Sequence, residues 1–155
     1  MGAITLQFVG GSGLGAGMIK WFGHGKYSHV DCVLPEGGML GARSDQVGGK
    51  PPGVQVRPAG YTKKEKVELV RIPCTDEQQA AFYNFARSQI GLEYNKIAIV
   101  AFFFAADWSD PMQRFCSQLA TMCFQAAEFF QNLTEPSNKI DPDDLRLLIS
   151  AVWGV

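Results

Sequence analysis

Two side chains in this sequence suit acyl-transfer chemistry: Cys116 as a nucleophile and His29 as its base. Cys116 lies in Met112-Gln113-Arg114-Phe115-Cys116-Ser117-Gln118-Leu119-Ala120, directly after Asp110 and Pro111. Asp caps helix starts and Pro suits the first turn, so a helix is expected here with Cys116 in or near its first turns. Unpaired N–H groups and the positive end of the helix dipole favour a thiolate at such a place. The backbone N–H of Cys116 is then a candidate oxyanion donor, because first-turn amides lack an internal partner. A thiol needs a base, and His29 stands far upstream in Tyr27-Ser28-His29-Val30-Asp31-Cys32-Val33-Leu34. Taken singly, each residue is ordinary. A buried Cys packs as a small hydrophobe, and a strand His is commonly just hydrogen-bonded. A Cys at a helix start and a His on a strand, in a chain with two histidines, make a candidate pair.

These residues must be positioned by a fold, and the composition bounds it. The chain has 155 residues, 46% of them hydrophobic, enough for one domain with a proper core. A net charge of −1 gives no global field for nucleic acid or an anionic membrane. The four cysteines, Cys32, Cys74, Cys116 and Cys123, are scattered and form no CxxC pair. A disulfide scaffold and a structural zinc site are therefore not expected, and reduced thiols in a cytosolic protein are. No cofactor is called for. The opening lacks the pattern of a signal peptide, so the chain reads as cytoplasmic when made. The most apolar run, residues 97–106, is about half the ~20 residues that cross a bilayer. It reads as a buried helix, and no stable membrane insertion is expected.

Along the chain, residues 3–9 form a β-rich run and a first strand. Glycines at 10, 11, 13, 15 and 17 follow, then a short helix over 18–22 and a turn over 23–26, which holds His24. Gly11-Ser12-Gly13-Leu14-Gly15-Ala16 satisfies the relaxed dinucleotide-binding fingerprint, with Asp31 downstream. Against it, Asp31 falls inside its strand, and a hairpin follows instead of a second βαβ unit. A flexible connector explains the glycines better. The strand over 27–34 turns at Pro35-Glu36-Gly37-Gly38 into a partner over 39–43. Alternation puts His29, Asp31 and Val33 on one face, and Ser28, Val30 and Cys32 on the other. Ser44 or Asp45 would return near His29.

Residues 54–57 make a short strand. The charged stretch 61–66 reads as a solvated loop rather than a nucleic-acid patch. A strand over 67–72 is ended by Pro73. Thr75 and Gln78 form a capping box for a helix to about Gln89, with Gly91 as its stop and Ala81, Phe82, Phe85 and Ala86 inward. The Cys116 helix continues to about Gln131. Asp141, Pro142, Asp143 and Asp144 open a last helix that runs to about Val152. Strands first and helices after indicate an α+β fold with an antiparallel sheet of about five strands.

Several of these stretches are similar to one known family. Tyr27-Ser28-His29-Val30, Leu40-Gly41-Ala42-Arg43, Gly91-Leu92-Glu93-Tyr94-Asn95 and Phe115-Cys116-Ser117-Gln118-Leu119 resemble the YiiX-like branch of the NlpC-type papain-like hydrolases. The resemblance runs from about Thr5 to Gln125. It implies a circularly permuted papain-like fold in which the His strand precedes the Cys helix. It implies Cys116 as nucleophile and His29 as base. Family members usually carry a third polar residue on the strand after the His. Here Gly41 falls at that place, so Ser44 or Asp45 from further along, or Asp31 from the same face, would have to orient the imidazole. Otherwise the site is a dyad. The implied substrates are amides or esters, namely cell-wall peptides in many members and lipid acyl groups in the related lecithin–retinol acyltransferase group.

The expectation is a thiol hydrolase of amide or related acyl bonds acting through Cys116 and His29, foremost on cell-wall peptides. Such a substrate would require export or release by lysis. The alternatives are a catalytically weak or inactive papain-like binding or assembly module, a lipid acyltransferase or esterase of the same fold, and a nucleotide-binding module on residues 11–16.

Overall fold

The computed structural model describes residues 1–10, 26–62, 66–93, 111–134 and 137–155. The dinucleotide-like glycines of 11–16, the short helix expected over 18–22, His24 and the apolar run 97–106 lie outside the described residues, as do Tyr94 and Asn95. Five strands are present: β1 Gly2–Gly10, β2 His29–Val33, β3 Met39–Arg43, β4 Gly53–Arg57 and β5 Lys66–Cys74. They form one antiparallel sheet in the order β4-β3-β2-β1-β5. Three α-helices follow among the described residues: α1 Asp76–Ser88, α2 Pro111–Ala126 and α3 Pro142–Trp153, with a 3-10 turn at Ser137–Lys139. The fold is α+β.

Alternation decides which side chains meet the helices. Ile4, Leu6 and Phe8 of β1, Val30 and Cys32 of β2, Leu40 of β3 and Ile72 of β5 are fully buried. They share one core with Phe82 and Ala86 of α1 and with Phe115, Leu119, Ala120, Cys123 and Phe124 of α2. α1 packs on β1 and α2, and α2 packs on β2 and β3. Helix α1 begins with the expected capping box of Thr75 and Gln78. Such a cap contributes about 1 kcal/mol, whereas burying one Phe82 side chain contributes about 1.5–3 kcal/mol. Packing, more than capping, therefore holds α1.

Two expectations need correction. β5 does not stop before Pro73. Pro73 pairs with Ala3, and the strand runs to Cys74. β5 is the sheet edge, so the missing N–H of Pro73 interrupts no second ladder. Helix α2 ends at Ala126, short of Gln131. Beyond it Glu128 and Phe130 take positive φ angles of 63° and 56°. This turn brings Phe129 and Phe130 back against Phe124 and Trp153, at ring separations of 5.1–6.0 Å. Burying two aromatic rings outweighs continuing the helix by one more turn.

Two contacts anchor the chain just ahead of His29. The Asp143 carboxylate, in the first turn of α3, accepts from the backbone N–H groups of Lys26 (2.8 Å) and Tyr27 (3.2 Å). Glu68 of β5 accepts from the Tyr27 hydroxyl, from Lys26 Nζ and from Arg146 of α3 through Nε and Nη2 at 3.0 and 2.8 Å. The Tyr27 and Arg146 hydrogen bonds hold the Glu68 carboxyl down at about 2. Thus the last helix fixes where β2 begins. Among the described residues no helix is long and apolar enough to cross a membrane.

Candidate active site

His29 is the first residue of β2, and Asp31 follows two positions later on the same face. Both are buried. The ring nitrogen Nε2 of His29 lies 2.8 Å from Asp31 Oδ1. A carboxylate only accepts, so Nε2 carries the proton and Nδ1 is the nitrogen left for a second partner. Cys116 acts on the same imidazole, through its charge and as a hydrogen-bond partner that raises its basicity. Helix α2 brings Cys116 to this point because its apolar face packs on β2 and β3. The hydroxyl of Ser117 donates to the Ile140 carbonyl at 2.6 Å and fixes the rotation of the helix.

Cys116, His29 and Asp31 thus come together at one place, with His29 hydrogen-bonded to Asp31. No family model, no curated protein and no solved structure matches this sequence. The likeness to the YiiX-like branch therefore rests on the quoted residues and their order.

Burial is the largest influence on His29, and it opposes the charged ring. The Asp31 carboxylate and the Cys116 sulfur outweigh it and raise the imidazolium to about 10. Burial likewise opposes ionised Asp31, but His29 and the Tyr61 hydroxyl hold this carboxyl below its ordinary value of 3.8. Linkage then gives a pH dependence. The stability His29 contributes is fully present below its unfolded value of 6.5 and is lost as pH rises towards about 10. The contribution of Asp31 is fully present above 3.8 and is lost as pH falls below it. The stability advantage over His29→Ala is expected to be greatest between these two ordinary values and to shrink steadily above pH 6.5. Urea unfolding of both proteins across that range checks it. An advantage that grows with pH would contradict a charged His29–Asp31 pair.

The candidates for the third position are now placed. The register Cys32↔Leu40 sets Asp31 beside Gly41 on the neighbouring strand. A Cβ added to Gly41 would lie 2.0 Å from Asp31 Oδ1 and 3.5 Å from His29 Nε2. Position 41 therefore does point at the imidazole, and Asp31 fills the space its side chain would take. Of the proposed substitutes, Asp31 meets His29. Asp45 is exposed and pairs with Arg43, Nε to Oδ1 at 2.7 Å and Nη2 to Oδ2 at 3.1 Å. Its charge reaches His29 only as a weak influence. Ser44 is half-buried and, among the described residues, makes no hydrogen bond to the imidazole.

One expected role does not survive. Helix α2 begins at Pro111, which makes Cys116 its sixth residue, in the second turn. An N–H at that depth bonds the carbonyl four residues back. The Cys116 amide is therefore no orphaned oxyanion donor.

Two residues that the sequence reading passed over also belong to the site. The Tyr61 hydroxyl donates to Asp31 Oδ2 at 2.7 Å and lies 3.2 Å from His29 Nε2. Arg57, at the end of β4, is 1% exposed. Its guanidinium donates to three carbonyls, those of Gly41 (3.1 Å), Val47 (3.3 Å) and Pro51 (3.1 Å). It ties loop 44–52 to the strand beside the site. A signal for Arg57 existed: strand parity puts it on the face of Gly41 and Asp31. Tyr61 lies in a loop, where no periodicity applies. Among the described residues no group of three His, Cys, Asp or Glu is placed to hold a metal.

Proposed function

We propose that this chain is a thiol hydrolase of amide or related acyl bonds, with Cys116 as nucleophile, His29 as acid–base and Asp31 as the residue that orients the ring. The observation that carries the reading is the buried cluster of Cys116, His29 and Asp31, with His29 Nε2 2.8 Å from Asp31 Oδ1 and Cys116 acting on the same ring. His29 holds the proton released from the Cys116 sulfur. The sulfur attacks the substrate carbonyl carbon and an S–C bond forms. The imidazolium then protonates the leaving amine or alcohol as the C–N or C–O bond breaks. Water attacks the thioester, His29 takes its proton, and the acid leaves with the thiol restored.

The reading includes a circularly permuted papain-like arrangement. It is supported by the His strand preceding the Cys helix and by the packing of α2 on β2 and β3. The resemblance favours cell-wall peptides as substrate, with export or lytic release as the route to them, and lipid acyl groups as the next class. Incubation with cell-wall peptides and with acyl esters, followed by intact-mass analysis, tests it. The expected result is product release together with an acyl adduct on Cys116. Cys116→Ala and His29→Ala are expected to abolish both while remaining folded. Turnover that survives Cys116→Ala would contradict the assignment.

A second reading, a binding or assembly module on the same fold, is favoured by burial. Cys116 is 2% and His29 7% exposed. Retention of cell-wall fragments by both the unaltered protein and Cys116→Ala, with no hydrolysis by either, is the outcome that selects it.

A further inference from the structure

We propose that Tyr61 is a positioning residue for the Cys116–His29 pair, acting through Asp31. This deepens the thiol-hydrolase reading and rests on it. Two oxygens of Asp31 could receive the imidazole, and a carboxylate free to rotate would let the ring turn with it. Tyr61 removes that freedom. Its hydroxyl donates to Oδ2 at 2.7 Å, which leaves Oδ1 for His29 Nε2 at 2.8 Å. With both oxygens engaged, the ring plane is set, and the imidazole is held where Cys116 acts on it.

The tyrosine is itself held on several sides. Its N–H donates to the Pro58 carbonyl at 3.2 Å. Gln7, paired with Asp31 across β1 and β2, donates to the Thr62 hydroxyl at 3.4 Å. The guanidinium groups of Arg43 and Arg57 lie 5.5 and 6.0 Å from the ring centroid. Arg43 Nη1 also donates to the hydroxyl at 3.5 Å. Burial and the Asp31 charge push the Tyr61 phenol up, so it remains a donor at any working pH. Loop 58–62 is thereby tied to the pair: whatever moves Tyr61 releases Asp31, and with it the imidazole, whose Nε2 also lies 3.2 Å from the hydroxyl.

The test needs no substrate. Native protein is treated with iodoacetamide at pH 6, and modification of each cysteine is followed by peptide mass mapping. In parallel, the ring nitrogens of the two histidines are followed by 15N NMR. Tyr61→Phe is expected to slow Cys116 alkylation about tenfold, the order set by one hydrogen bond to a charged group, and to shift the His29 ring resonances. Tyr83→Phe is the control. It removes another buried hydroxyl, bonded to Thr5 N–H and to the Val33 carbonyl, and should leave both readouts unchanged.

Unchanged rates and resonances in Tyr61→Phe, with Cys116 still the fastest cysteine, would overturn the inference and leave the hydrolase reading standing. Equal slowing by Tyr83→Phe would also overturn it, because loss of any buried hydroxyl would then suffice. If Cys116 in the unaltered protein reacts no faster than Cys74, the hydrolase reading falls and this inference falls with it.

Discussion

Asp31→Ala is expected to lower turnover by about 10⁴-fold, the scale seen when the orienting carboxylate of a catalytic triad is lost. Two effects combine. The imidazole loses the acceptor that holds its Nε2–H, so the orientation of the ring towards Cys116 is no longer fixed. The charged ring also loses the carboxylate that offsets its burial. Removing one partner of a buried ion pair costs about 3–5 kcal/mol, because the other charge stays uncompensated. His29 escapes part of that by losing its proton, so the activity loss should exceed the stability loss. Asp31→Asn keeps the shape and removes the charge, but its amide can donate to Nε2, so it should lose about as much activity as Ala while losing less stability. Denaturant unfolding and the rate of Cys116 acylation read the two effects separately. Full activity in Asp31→Ala would mean that Cys116 and His29 work as a dyad.

Gly41→Ala should cost nearly as much, although it removes nothing. Its methyl group would sit 2.0 Å from Asp31 Oδ1, a separation that heavy atoms do not adopt. The strands are paired on both sides of this position, Gly41 with Gln55 and Cys32 with Leu40, so the backbone has little room to yield. Asp31 must swing away and abandon His29. The same geometry predicts a rescue. In the double variant Asp31→Ala with Gly41→Asp, the carboxylate comes from position 41, which lies 3.5 Å from Nε2 at its Cβ. Activity should recover at least about tenfold over Asp31→Ala alone, a non-additivity expected only for side chains sharing one site. Absence of recovery would mean that position 41 does not address the imidazole.

Periodicity makes much of this fold legible in the sequence. The alternation of β1 and β2, the capping box at Thr75, the N-cap at Asp141 and the pairing of β2 with β3 follow from local rules, and the folded chain obeys them. The shared face of His29 and Asp31 was equally plain. The choice of Asp31 over Ser44 and Asp45 was not. It depends on the absent side chain of Gly41, a cross-strand fact invisible along one strand. Pro73 looks like a stop along one strand, because sequence does not say which strand is the edge. Phe129 and Phe130 look like more helix until Trp153 arrives to receive them, so the end of α2 is not legible locally. Tyr61 joins the site through tertiary packing alone, with no spacing to announce it.

The most direct test of the central claim compares the cysteines with each other. Cys74 is the most accessible of the four, but burial pushes its thiol up. Cys32 is pushed up further by its hydrogen bond to Cys123 and by burial. At pH 6 ordinary thiols are almost wholly protonated. Native protein and His29→Ala are treated there with iodoacetamide, and the modified peptides are timed by mass spectrometry. Cys116 is expected to be alkylated first despite its burial, and to lose this lead in His29→Ala. Modification of Cys74 ahead of Cys116, or a Cys116 rate that His29→Ala leaves unchanged, would contradict it.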